Sequence, residues 1–277
     1  MLISVVIPAR NDAPMLAVAL EALAHQAGLP AGVEVEIVVV DNGSSDNTAQ
    51  VARDAGARLV TEPVPGIPRA ASAGYDAARG ELIARIDADS ICPPDWLARA
   101  LTIFAHDDEL SVLTGTGEFY GASELVHRLG KAWYLGGMYW SMTGYLGHPP
   151  IFGSNFVMRR KVWTELREEV HRSQRTIHDD LDLSLHIKPW MTVRYDPDFV
   201  VKISARPFES FSGLGRRVSW VLPTLRNHWP DDSPWARRAA RRRWRHGEGA
   251  NAGSPDRNAA RRPTSADGHG RDGSAAA

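Results

Sequence analysis

Across the first 115 residues, short runs of branched apolar side chains alternate with amphipathic stretches, a rhythm that few folds accommodate. Residues 2–7, 34–40, 58–61, 81–86 and 110–114 read as strands, and residues 13–26, 47–54, 68–78 and 94–105 as the helices between them. In the first helix Met15, Leu16, Ala19, Leu20 and Leu23 recur at helical spacing, and Asp12 stands at the expected N-cap. Strands that are apolar on both faces need cover on both. The alternation therefore specifies an α/β domain, a mainly parallel sheet flanked by helices. Ligands of such sheets bind beyond the carboxyl ends of the strands, and the chemistry is to be sought there.

From residue 116 the pattern loosens. A strand is expected at 151–158 and a helix from Asp179, where Leu181 with Leu185 and Leu183 with Ile187 form i,i+4 pairs. Two more strands are expected at 192–195 and 200–203, then a helix over 208–228 interrupted at Pro223. Residues 1–235 thus read as one folded domain with halves meeting near 115. Residues 236–277 carry ten Arg against four acids and almost no large apolar residues, the composition of a disordered tail. That tail holds a charge of +6, so the body holds −7 of the net −1. An acidic body argues against nucleic acid as a partner, because phosphate contacts need Lys and Arg. One cysteine, Cys92, allows no intrachain disulfide and fits a reducing compartment. The opening apolar run is six residues long, ends at Pro8 and has no basic leader. It reads as a buried strand rather than a signal or a span, and cytoplasmic residence is expected.

Acidic residues follow three of the expected strands. The first ends in Pro8-Ala9-Arg10-Asn11-Asp12, the second in Asp41-Asn42-Gly43-Ser44-Ser45-Asp46, the fourth in Asp87-Ala88-Asp89. Carboxylates crowd together where a cation offsets their repulsion or a ligand donates hydrogen bonds to them. Asp87 and Asp89 flank a single residue and can both turn toward one point. Mg²⁺ or Mn²⁺, held by one or two carboxylates plus a diphosphate, suits that arrangement. The plainer reading is turn formation, for which Asp41, Asn42, Gly43 and Asp46 are well suited.

Together these stretches resemble the family 2 glycosyltransferases of the GT-A fold. The resemblance rests on Val5-Val6-Ile7-Pro8-Ala9-Arg10-Asn11-Asp12, Val39-Val40-Asp41-Asn42-Gly43-Ser44-Ser45-Asp46-Asn47-Thr48 and Gly80-Glu81-Leu82-Ile83-Ala84-Arg85-Ile86-Asp87-Ala88-Asp89. It continues in Gly153-Ser154-Asn155-Phe156-Val157-Met158-Arg159-Arg160 and His178-Asp179-Asp180-Leu181-Asp182-Leu183-Ser184-Leu185, covering roughly residues 1–205. It implies a Rossmann-like, mixed and mainly parallel sheet, with residues 1–115 as the nucleotide-binding half and 116–235 as the acceptor half. It also implies an inverting, metal-dependent transfer from a nucleotide-diphosphate sugar to a sugar or lipid-linked acceptor, in cell-envelope glycolipid or polysaccharide synthesis. By position, Pro8, Ala9, Arg10, Asp12, Asp41, Asn42 and Arg69 would hold the nucleotide. Asp87 and Ala88 would reach the ribose, Asp89 with Asp87 the metal, and Gly153, Ser154 and Asn155 the sugar. The acidic pair Asp179-Asp180 would be catalytic and supply the base that deprotonates the acceptor, with Asp180 aligning best with that role, Asp179 at the expected helix cap and Asp182 as competitor. Ala71 and Ser72 stand where a second Arg and an Asn are frequent, which leaves the nucleotide open.

Other classes fit less well. A sugar-phosphate nucleotidyltransferase or a dinucleotide-dependent oxidoreductase wants a Gly-rich phosphate loop after the first strand, and residues 8–12 hold no glycine. A non-catalytic nucleotide-sugar-binding module would not need Asp89 or Asp180. Arg216, Arg217 and Trp220 only loosely echo a Gln-x-x-Arg-Trp element, so single-sugar addition is expected over processive synthesis. Residues 132–147 carry no charge and four glycines, and Trp133, Tyr134, Tyr139, Trp140 and Tyr145 suit either packing on the sheet or peripheral contact with a membrane. The Arg run after residue 236 is compatible with anionic lipid.

Overall fold

The computed structural model of the chain describes residues 1–121, 137–206, 211–230 and 232–247. Seven strands form one sheet: β1 (Leu2–Ala9), β2 (Glu34–Asp41), β3 (Arg58–Thr61), β4 (Leu82–Arg85), β5 (Leu110–Tyr120), β6 (Phe156–Arg159) and β7 (Thr192–Ser204), in the order β3-β2-β1-β4-β6-β5-β7. β1 pairs in parallel with β2 and β4, β2 with β3, and β5 with β7, while β6 runs antiparallel to both its neighbours. The sheet is thus mixed and mainly parallel, as the sequence led one to expect. Its helices are α1 (Ala13–Ala24), α2 (Thr48–Asp54), α3 (Ile67–Ala77), α4 (Trp96–His106), α5 (Met138–Leu146), α6 (Arg160–Leu166), α7 (Asp179–His186), α8 (Phe211–Asn227) and α9 (Pro234–Arg245).

The two-residue alternation of the strands divides the core. Ile3, Val5, Ile7, Leu82, Ala84 and Ile86 pack on one face with Leu16 and Leu20 of α1 and Leu97 and Leu101 of α4. Val6, Val38, Val40 and Ile83 face the other way, toward Ala70, Ala71 and Tyr75 of α3, Trp163 of α6 and Leu183 of α7. The central strands β1 and β4 are buried on both faces, which explains their unbroken apolar runs. Helix α3 lies so close to the sheet that a Cβ at Gly74 would come within 2.3 Å of Val6 Cγ1.

Several expectations are corrected. The strands expected at 192–195 and 200–203 are one strand, β7, because its partner β5 runs on to Tyr120 and pairs with both stretches on either side of a bulge at residues 196–199. The strand expected from 151 begins at Phe156, since the backbone before it turns at the site. Helix α8 continues through Pro223. Interior proline costs about 3 kcal/mol, and packing of Val221 and Leu225 against Leu181 and Leu185 favours the continuous helix. Asp12 sits at the N-cap of α1 without capping it; the Ala13 N–H donates to Asp46 Oδ2 instead (3.1 Å). His178, not Asp179, is the N-cap residue of α7.

The tail expected to be disordered from 236 is helical as far as Arg245. Ser233 caps α9 by accepting from the Ala236 N–H (3.4 Å), and Arg237 is buried with its guanidinium donating to the main-chain oxygens of Leu185 (2.5 Å) and Leu146 (3.4 Å). Those carbonyls lie at the C-terminal ends of α7 and α5, where exposed lone pairs attract a cation. Composition reported the charge of this run and missed its receptor. Residues 248–277 lie outside the described residues, as do Trp133 and Tyr134. No described helix is long and apolar enough to cross a membrane.

Candidate functional site

A cavity of about 570 Å³ opens beyond the carboxyl ends of β1 and β4, well within the roughly 300–1,000 Å³ of small-molecule sites. Of the residues singled out from sequence, it is lined by Pro8, Ala9, Arg10, Asp12, Asn42, Asp87, Ala88, Asp89, Gly153, Ser154, Asp179 and Asp180. Its lining also includes the apolar Met142, Ile151, Phe152, Ile177, Leu181, Trp220 and Val221.

Local structure explains how these segments meet. Asn11 adopts φ 52°, accepts from the Ser45 N–H (2.7 Å) and has its own N–H on Ser44 Oγ (3.0 Å), which joins the loop after β1 to the loop after β2. Asn42 donates to the Glu62 and Val64 carbonyls (3.0 and 2.9 Å) and accepts from the Gly66 N–H (2.7 Å). Its amide is consumed in holding residues 62–66 in place, so it shapes the wall rather than offering a free group. Asp87 continues the face of Arg85 past the end of β4 and accepts from Ser154 Oγ (2.6 Å).

Two arginines that sequence reasoning passed over organise the charge. Arg85, buried in β4, bridges Asp87 Oδ1 (3.1 Å) and Asp179 Oδ2, with the Tyr75 hydroxyl beside it at 3.4 Å. Burial opposes its charge, but Asp179, Tyr75, Asp87 and Asp180 outweigh that and hold it protonated. For Asp179, burial outweighs Arg85 and raises the pKa above the ordinary carboxylate value, helped by Asp180 and Asp87. Arg206, just past β7, grips both oxygens of Asp12 (3.0 and 3.1 Å) and Asp89 Oδ2 (3.1 Å). Burial, then Asp87 and Asp12, also raise the pKa of Asp89, against the pull of Arg206. A legible clue to Arg85 existed: it is the one charge in an otherwise apolar strand, two residues before Asp87. Nothing near Arg206 in the sequence marked it.

Asp180 Oδ2 accepts from the Gly153 N–H (3.0 Å), and its Oδ1 from the Leu181 N–H (2.8 Å). A Cβ on residue 153 would lie 2.9 Å from Asp180 Oδ2, so glycine is what lets this main-chain donor reach the carboxylate. Three expected site residues are not brought to the cavity. Asn155 is fully buried, accepting from Trp96 Nε1 (2.9 Å) and donating to the Thr116 and Phe199 carbonyls (2.9 and 2.6 Å); it ties the core together. Asp41 closes a turn by accepting from the Ser44 N–H (3.1 Å). Arg69, in the first turn of α3, is not among the lining residues. Asp182 turns away from the cavity to meet His171, His186 and His228, which together form a cluster able to hold a metal ion.

The sheet order, the antiparallel β6 and a cavity rimmed by carboxylates define a GT-A architecture. A mannosyltransferase from Pyrobaculum calidifontis, solved with GDP-Man and Mn²⁺, shares this fold with a TM-score of 0.57 at 19% identity, over 91% of this chain and 76% of that one. The profile of Glycosyl transferase family 2 matches residues 4–167, and the chain belongs to that family. An uncharacterized glycosyltransferase of Mycobacterium tuberculosis is 42% identical over 87 residues, 31% of this chain and 36% of the relative. The undecaprenyl-phosphate 4-deoxy-4-formamido-L-arabinose transferase of Edwardsiella ictaluri is 35% identical over 104 residues, 35% and 32% of the two chains. The chain thus spans about a third of the length of these curated relatives.

Proposed function

We propose that this chain transfers one sugar from a nucleotide-diphosphate donor to an acceptor hydroxyl, with inversion at the anomeric carbon. The observation that carries the reading is the meeting of Asp12, Asp87, Asp89 and Asp180, from separate segments, in one cavity at the strand ends. The nucleotide would lie along Pro8, Ala9 and Arg10, with its diphosphate toward Asp87 and Asp89. Asp12, Asp87 and Asp89 offer only hard oxygen donors, and the Arg206 guanidinium between Asp12 and Asp89 marks a place where positive charge is stabilised. This donor set fits Mg²⁺ or Mn²⁺, held by Asp89 with Asp87. Bound there, such an ion supplies Lewis-acid stabilisation to a leaving diphosphate.

The protein's own groups would do the rest. Asp180, oriented by the Gly153 and Leu181 N–H groups, accepts the proton of the acceptor hydroxyl. Asp179, paired with Arg85, positions that end of α7 and is not the base. Arg206 would move from Asp89 toward the diphosphate as the donor enters.

The apolar part of the cavity lining supports a lipid-linked acceptor. Ser141 and Met142 line it while neighbouring Trp140 is 84% exposed, and Leu222, next to the lining residue Val221, is 68% exposed. Apolar side chains at such a rim suit a lipid surface, and the Edwardsiella relative carries a lipid phosphate in its name. The protein would then work at the cytoplasmic face of a membrane as a peripheral enzyme.

The test is a panel of UDP-, GDP- and TDP-sugars with polyprenyl-phosphate and soluble acceptors, scored for released nucleotide with Mn²⁺ and with chelator. Metal-dependent release from one donor class is expected. Absence of both donor binding and nucleotide release across the panel would sink the assignment.

A further inference from the structure

We infer that His171, Asp182, His186 and His228 form a second metal site, a structural one that holds Zn²⁺ on the side of helix α7 away from the cavity. Their ligand atoms all lie within 4.8 Å of one another. Around Asp182 Oδ1 stand His171 Nδ1 at 2.7 Å and His228 Nε2 at 3.0 Å. Ligand atoms on a tetrahedral zinc, each about 2.0–2.1 Å from the metal, are about 3.3 Å apart, so these two pairs need open by only a few tenths of an ångström to admit the ion. The three rings pack with centroids 4.7–5.4 Å apart. Asp182, His186 and His228 keep side-chain exposures of 3%, 9% and 4%.

The chemistry selects the metal. Three imidazoles and one carboxylate make a nitrogen-rich set suited to Zn²⁺, unlike the all-oxygen set of the cavity. A second layer of contacts is also present. His228 Nδ1 lies 3.2 Å from Asp232 Oδ2, and His186 Nδ1 lies 2.8 Å from the main-chain oxygen of Asp182. Such contacts fix a ring's tautomer and leave Nε2 as the donor. The His171 N–H to Asp182 Oδ2 bond (2.8 Å) fixes the carboxylate.

The placement gives the site a purpose. Asp182 and His186 are i,i+4 on α7, His171 precedes that helix, and His228 directly follows α8. One ion would staple three segments whose other side forms the cavity wall carrying Asp180. None of the four ligands lines the cavity, so the staple is separate from the donor's ion.

Zinc content of the purified full chain, measured by plasma mass spectrometry, and titration against a chromophoric zinc chelator test the proposal. One zinc per chain is expected, and cobalt substitution should give the visible bands of a tetrahedral site. Asp232→Asn should weaken zinc about 10- to 100-fold, and His171→Gln by more; both positions are partly exposed, so these variants should fold. Asp89→Asn should retain the zinc. The proposal is overturned if the chain binds no zinc at micromolar concentration, if His171→Gln and Asp232→Asn bind it like the parent, or if Asp89→Asn removes it.

Discussion

Toward the cavity helix α7 offers Asp179 and Asp180, and away from it Asp182 and His186, a change of chemistry within two turns. On the cavity side the carboxylates meet arginines and main-chain N–H groups, and the atoms they offer a metal are all oxygen. On the far side a single carboxylate sits among three imidazoles. Successive helical positions are about 100° apart, so residues 180 and 182 point to nearly opposite sides. The comparison teaches that neighbouring acids in one motif need not share a role, and that the surroundings assign each.

Four measurements break or sharpen this contrast. The largest effect is expected for Asp180→Asn, which should cut transfer by about 10²–10⁴-fold while donor affinity, measured by calorimetry, stays within about twofold of the parent. Normal turnover would remove Asp180 as the base. Asp89→Asn should weaken Mn²⁺ activation and lower kcat/KM by about 10²-fold, the equivalent of roughly 3 kcal/mol; an unchanged manganese titration would contradict that assignment.

Gly153→Ala places a methyl group 2.9 Å from Asp180 Oδ2. It should lower kcat about 10- to 100-fold through displacement of the carboxylate, with manganese activation intact. The smallest effect belongs to the far face. Chelation of zinc present at tenfold excess over its Kd should cost about 1.4 kcal/mol, a fall in Tm of roughly 3–6 °C. His171→Gln should abolish that fall without altering donor binding. A chelation-sensitive Tm in the parent and in His171→Gln but not in Asp89→Asn would reverse the two assignments.

Legibility in the sequence followed the range of the forces involved. Strands β1 to β4 and helices α1 to α4 were readable because each apolar run reports its own burial, and the carboxylates after β1, β2 and β4 were readable because they follow strand ends directly. Within that rim the side chains sorted themselves by neighbours the sequence does not display. Asn155 was drawn into the core by Trp96 and Phe199, and Asp41 was closed by its own turn. Arg85 announced itself as a charge in a buried strand, whereas Arg206 reaches Asp12 across 194 residues.

By itself, then, the sequence determined the layered α/β architecture, the edge of the sheet that carries the chemistry and the family. Those follow from local periodicity and from motifs contiguous along the chain. Only the tertiary structure decided which carboxylates share a cavity, which face arginine and which face histidine. Those outcomes depend on side chains from distant segments converging, and their energies change steeply over a few ångströms. The Arg-rich run after residue 233 shows the same division: its composition stated a charge, but the exposed carbonyls of α5 and α7 turned that charge into a helix.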